Sequence, residues 1–139
     1  MNALHILYTS LPEKSGSSIR SHNLLMNQIK NGMKVRVMVA PFIKGVYANQ
    51  TYSFEDVDYK LTKSNYHTKS EKVSSVNELF SKALSIFSFF NLVRNEVKDN
   101  KPTFIHSHSM FYCAFVGILI SIIYKIVFYS FCQIFSKLA

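Results

Sequence analysis

The chain has 139 residues and a mass of 16.0 kDa, with 16 Lys and Arg against 8 Asp and Glu and a formal charge of +8. This length reads as one domain over 1–139 and excludes a complete enzyme that works between two lobes of about 100 to 200 residues each. With 48% hydrophobic residues, 17% charged, four Gly and three Pro, the chain has enough apolar surface for a core and is neither disordered nor collagenous.

In chain order, Ala3–Thr9 (ALHILYT) is a short apolar run closed by Pro12, which predicts a buried strand. No basic residue precedes this brief run, so a secretory signal is not expected. A small polar turn follows, then Ile19–Asn31 with Ile19, Leu24, Leu25 and Ile29 at near-helical spacing. The Ser17 or Ser18 hydroxyl is positioned to start this helix, and Gly32 to stop it. Lys34–Ala40 (KVRVMVA) reads as a second strand, exposed at Lys34 and Arg36 and ended by Pro41. Strand, turn, helix and strand in this order make a βαβ unit, which implies an α/β fold with a parallel sheet and a right-handed crossover.

Val57, Tyr59 and Leu61 alternate with charged neighbours and predict one half-exposed strand, followed by a polar loop over Ser64–Ser75. Lys60, Lys63, Lys69 and Lys72 read as a solvated face. Val76–Lys98 is the longest helical segment, with Val76, Leu79, Phe80, Ala83, Leu84, Phe87, Phe90 and Val97 as its core-facing stripe. Asn100 and Pro102 end it, and Thr103–His106 begins a further strand leading into Ser107-His108-Ser109.

The last 30 residues differ in kind, carrying Lys125 and Lys137 and no acidic residue. Met110–Tyr124 is uncharged, but a membrane helix needs about 20 apolar residues, a length reached only if Lys125 lies inside or snorkels. The segment is therefore expected to be a buried helix followed by a buried strand, with a single membrane span over Met110–Phe135 as the alternative. Cys113 and Cys132, both in apolar surroundings and without a CxxC pair, read as buried thiols of a reducing compartment.

Ligands of open parallel sheets bind outside the carboxyl ends of the strands. Two segments fall there. In Ser15-Gly16-Ser17-Ser18 a glycine lets a ligand approach the backbone, and the next helix offers N–H groups to an anion. Neither GxGxxG nor GxxxxGK[ST] is present, so no nucleotide fingerprint of those kinds exists and no cofactor is expected. In Ile105-His106-Ser107-His108-Ser109, strand alternation places both imidazoles on one side, where they can orient a hydroxyl, exchange a proton or bond a phosphate. The HxH pair is also half a metal site, but no carboxylate or Cys arrangement accompanies it and no metal is expected. Each segment has an ordinary alternative: a serine-capped turn, and histidines satisfying backbone groups at a strand end.

The order of apolar strand, Pro12, Ser-Gly-Ser-Ser, Arg20, helix, Asn31-Gly32-Met33-Lys34-Val35, strand and later Lys101-Pro102-Thr103-Phe104-Ile105-His106-Ser107-His108 resembles the N-terminal domain of family 4 glycosyltransferases, retaining enzymes of the GT-B type. The resemblance runs from Met1 to about Ile126 and implies a Rossmann-like domain, incomplete at its C-terminal end. It places Gly16 and Ser17 in the loop near the donor diphosphate and the acceptor, and Arg20 as a basic residue of the following turn. His108 matches the histidine near the sugar and acceptor, the expected catalytic position, and His106 the one that supports the strand end. Thr103 stands where Asp is usual, Tyr124–Phe128 lacks a proline, and Ser130–Ala139 matches nothing in the pattern.

The second lobe of such enzymes, with a basic pair and an E-x7-E motif, has no counterpart here. The resemblance thus implies the acceptor-side half of an enzyme that moves a sugar from a nucleotide-sugar donor to a cell-surface glycan or lipid-linked acceptor. Little activity is expected from it alone. A truncated gene, a frame change near Val127 and a half that pairs with a donor-lobe partner are all compatible with this. The implied location is cytoplasmic, peripheral to the inner face of the plasma membrane. The alternative is a small single-span membrane protein with a basic cytoplasmic domain. No nucleic-acid partner is expected, because the aromatic residues fall in apolar stripes and not among the basic ones.

Overall fold

A computed structural model describes residues 1–42, 49–63, 75–109 and 111–130. The elements are β1 (Asn2–Leu7), α1 (Gly16–Lys30), β2 (Lys34–Val39), β3 (Gln50–Phe54), β4 (Val57–Leu61), α2 (Ser75–Asp99), β5 (Phe104–Ser107), α3 (Tyr112–Tyr124) and β6 (Val127–Ser130). Most of the expected Ser64–Ser75 loop, Lys69, Lys72, Cys132 and the chain after Ser130 lie outside the described residues.

The six strands form one sheet in the order β3-β4-β2-β1-β5-β6, parallel throughout except for β3 at one edge. The chain begins at the centre, steps outward through β2 and β4, and returns over α2 to β5 and β6 on the other side of β1. Right-handed crossovers running in opposite directions put their helices on opposite faces of a sheet. Accordingly α1 covers one face, where Leu25 packs on Leu7, Val37, Val39, Val57, Tyr59 and Leu61. On the other face α2 and α3 bring Phe89, Val93, Val97, Val116 and Ile120 onto Leu4, Ile6, Met38 and Ile105. The α/β class and the parallel βαβ unit expected from the sequence are both present.

β3 is absent from the sequence expectation, because Gln50–Phe54 is polar and mostly exposed. A two-residue turn folds it back on β4, with Glu55 (φ 45°) and Asp56 (φ 64°) both left-handed, the geometry that matches strand twist in a hairpin. The hairpin is pinned to α1 by His22, whose Nε2 lies 3.0 Å from the Glu55 carboxylate and whose Nδ1 accepts from the Tyr59 hydroxyl at 2.7 Å. Lys60 is not simply solvated: its ammonium meets Glu96 Oε2 at 2.6 Å while Arg36 holds Oε1 at 2.8 Å. Burial pushes the Glu96 carboxyl up, but these two cations together outweigh it and hold the group below the ordinary carboxylate range.

The structure keeps Phe90 and Val97 of the expected α2 stripe against the core and turns its N-terminal part outward. Phe89 and Val93 join Val97 on the sheet, with Ile86, Phe90 and Leu92 beside them, whereas Val76, Leu79, Phe80, Leu84 and Phe87 are 50–74% exposed. At about 1.5 Å per residue the 25-residue helix is about 37 Å long, against about 20 Å for a six-residue strand, so its first half reaches past the sheet.

The apolar segment after Ser109 is a 13-residue helix that stops at the left-handed Lys125 (φ 51°), followed by a strand paired with β5. Through residue 130 it is thus part of the sheet architecture, and among the described residues no helix is long and apolar enough to cross a membrane. Full burial, however, is not observed: Phe115, Ile118, Ile122 and Ile123 on α3 and Val127 and Tyr129 on β6 are exposed. A helix laid on a sheet buries one side only, and α3 is apolar all round. On its buried side Cys113 is a free thiol, pushed up to about 12 by burial.

Gly117 accounts for the close seating of α3, since a Cβ there would come 2.5 Å from Phe128 Cε2. Gly117→Ala is therefore expected to lower stability by about 1–3 kcal/mol, the usual range for overpacking, as measured by urea unfolding. Adding Phe128→Leu should recover part of that loss.

Candidate functional site

β1 and β5 are parallel neighbours, so the loop that leaves β1 and the loop that leaves β5 emerge at the same rim, where the strand order reverses. His5 and His106 are register partners, and the backbone N–H of His108 bonds Ile6 O at 3.0 Å. This extra rung extends the pairing past the end of β5 and keeps His108 on the same side as His106, the side that α1 covers.

At the N-terminus of α1 the cap is Ser15, ahead of the expected Ser17 or Ser18. Its hydroxyl accepts from the Ser18 N–H, and Ser18 Oγ accepts from the Ser15 N–H at 2.8 Å. The Ile19 N–H bonds Ser15 O, which leaves the N–H groups of Gly16 and Ser17 open among the described residues. Gly16 is exposed, has no left-handed φ, and a Cβ there would meet nothing within 4 Å. The chain's own packing therefore does not require glycine at this position. The Ser17 hydroxyl bonds Thr9 Oγ1 at 3.1 Å and Ser15 Oγ at 2.9 Å, tying the loop to the first turn. Arg20 is exposed, one position before the buried Ser21.

The face that α1 turns to the strand ends is polar. Ser18, Ser21 and His22 are buried beside Leu25, while the expected apolar positions Ile19 and Leu24 are exposed. Ser21 Oγ lies 3.1 Å from His108 Nδ1, His108 Nε2 lies 2.8 Å from His5 Nδ1, and His5 Nε2 lies 2.8 Å from Gln28 Oε1. One carbonyl oxygen sets the direction of this chain. Gln28 Oε1 can only accept, so His5 Nε2–H donates to it and His5 Nδ1 is an acceptor. His108 Nε2–H then donates to His5, and the Ser21 hydroxyl donates to His108 Nδ1.

The ring centroids of His106 and His108 are 4.4 Å apart, and His5 lies 5.2 Å and 5.1 Å from them. Three imidazoles this close favour the neutral form. Burial first, and then the charge of His106, lower His5 to about 4 despite the Gln28 hydrogen bond. Burial, then His5 and His106, lower His108 to about 3, and burial lowers His106. Both ring nitrogens of His108 are engaged, whereas no described residue hydrogen-bonds the half-buried His106 ring.

The structure thus brings His106 and His108 together with the helix that follows the Gly16–Ser17 loop, and Arg20 takes no part in the hydrogen-bonded group. Sequence reading missed His5, Ser21 and Gln28. Their signals were a histidine inside an otherwise apolar strand, and the polar Ser21 and Gln28 on the same helical face as Leu25. No protein-family model matches the chain, and no curated protein matches it.

The pH dependence of stability follows from the lowered histidines. Below pH 6.5 the unfolded chain takes up protons that the folded chain refuses, so stability falls with pH through the window from 6.5 to about 4 for His5 and about 3 for His108. The slope is expected to reach about 1.4 kcal/mol per pH unit for each such group, measured as urea midpoints from neutral to acid pH. His108→Gln should flatten this slope.

Proposed function

We propose that the chain is the acceptor-side half of a retaining glycosyltransferase, with a Rossmann-like fold. In this reading it takes part in moving a sugar from a nucleotide-sugar donor to a cell-surface glycan or lipid-linked acceptor. The observation that carries the reading is the shared rim. From β1 the strand order steps to β2 and β4 on one side and to β5 and β6 on the other, all parallel, and ligands of open α/β sheets bind in the crevice where the order reverses. Both sequence motifs of the family resemblance border that crevice, joined by the Ser21–His108 hydrogen bond.

In this reading the open N–H groups of Gly16 and Ser17 at the positive end of α1 receive a phosphate oxygen, and Arg20 adds charge at the same end. His106 presents its unengaged ring to the acceptor. His108 reaches the sugar through Nδ1 once the Ser21 hydroxyl turns away, and His5 and Gln28 hold it in place. A neutral imidazole suits a hydrogen bond to a sugar hydroxyl without repelling incoming cations. These 139 residues contain no E-x7-E motif, so in this reading the nucleotide sugar is held by a donor-binding lobe outside them. Without it the leaving diphosphate is not neutralised, and no turnover is expected.

The +8 charge favours an anionic membrane surface or a phosphate-bearing acceptor, and the exposed Phe80, Phe87, Phe115 and Ile122 add apolar contact for such a surface. This agrees with a cytoplasmic location peripheral to the inner face of the membrane.

The test is sugar transfer by the chain co-expressed with a donor-binding lobe of a family 4 enzyme. His108→Ala is expected to lower kcat by about 100-fold or more, within the range of a lost acid–base or positioning group. Gly16→Ala should leave the unfolding midpoint unchanged, since its Cβ meets open space, and raise KM. Unchanged turnover in both variants refutes the assigned roles.

A further inference from the structure

We propose that His5, His106 and His108 form a binding site for one divalent transition-metal ion, zinc first among the physiological ions. One ring nitrogen from each lies within 4.8 Å of the other two. Three imidazoles with an open fourth position are an established donor set for zinc. Zn–N bonds of about 2.0–2.1 Å place tetrahedral ligand nitrogens about 3.3 Å apart. His5 Nδ1 and His108 Nε2, at 2.8 Å, already meet that spacing closely. The remaining closure falls to His106, the half-buried ring that no described residue hydrogen-bonds.

The surroundings supply what metal-bound histidines need at their distal nitrogens. Gln28 Oε1 lies 2.8 Å from His5 Nε2 and Ser21 Oγ lies 3.1 Å from His108 Nδ1, so each can accept the distal N–H and fix the ligating tautomer. For His5 that tautomer is the one already present. For His108 the proton moves from Nε2 to Nδ1, and the Ser21 hydroxyl turns from donor to acceptor. No ring nitrogen of His5 or His108 is left unpaired, and the protein's charge is unchanged.

An all-imidazole set without a carboxylate selects zinc, nickel or copper over magnesium and calcium. His22 stands apart, with both nitrogens committed to Tyr59 and Glu55. A bound ion would clamp β1 to β5 and, through Gln28 and Ser21, both to α1. This inference does not rest on the sugar-transfer reading.

The test uses the full chain, freed of metal with a chelator and titrated with zinc chloride near neutral pH, with cobalt chloride as an optical probe. One zinc per chain, a zinc-dependent rise in Tm and the visible absorption of tetrahedral cobalt are expected, with none of these from magnesium or calcium. His106→Ala should abolish the cobalt spectrum and weaken zinc binding at least tenfold. Ser21→Ala, an outer-partner change that leaves all three ligands in place, should weaken it by about 10-fold. Circular dichroism establishes that each variant is folded. Absence of saturable zinc binding, or binding that is unchanged in both variants, overturns the site.

Discussion

Everything at the rim depends on the hydrogen-bond chain that runs from Ser21 through His108 and His5 to Gln28. A buried polar group without a partner costs about 1–3 kcal/mol, and His5 is wholly buried at the centre of the sheet. Its two ring nitrogens are satisfied only if His108 stands beside it just past the neighbouring strand β5 and Gln28 stands above it on α1. The chain thus fixes three things together: the adjacency of β1 and β5, the height of α1 over them, and the tautomer of each ring.

A second polar chain does the same at the other end of the sheet, where Glu55, His22 and Tyr59 seat the β3–β4 hairpin against α1. Between the two chains, α1 is anchored largely by polar residues, with Leu25 as its one fully buried apolar side chain. That is an unusual way to attach a helix to a sheet, because such networks are costly when incomplete. It is coherent at a rim, where side chains must be held in defined orientations and remain within reach of solvent. Gly16 and Ser17 sit at the start of the helix so held, and the position of their open N–H groups relative to the imidazoles is a consequence of the same anchoring.

The opposite face is built by ordinary apolar burial, and its outer surface is strongly apolar. Phe80 and Phe87 on α2 and Phe115 and Ile122 on α3 are exposed because each helix meets the sheet along one side and their sequences carry apolar residues on both. The periodicity of α2 was read as one stripe from Val76 to Val97, and only contact with the sheet selects the line through Phe89, Val93 and Val97. A helix longer than its strands has one part over the sheet and one part beyond it, and spacing alone does not say which is which.

From the sequence alone, the strands β1, β2, β4, β5 and β6, the three helices and the parallel βαβ unit were all legible, because each rests on a local pattern of burial and breaking residues. The HxH pair and the serine-flanked glycine were legible as candidates for the same reason. The partners His5, Ser21 and Gln28 were not, because they lie 103, 87 and 23 positions from the groups they bond, and no local pattern records such a distance. Nor could spacing show that α1 turns its polar side inward, since that preference exists only once His108 and Tyr59 are there to meet it. Local sequence set the elements, and the sheet order, which is a non-local outcome of packing, decided which side chains share a site.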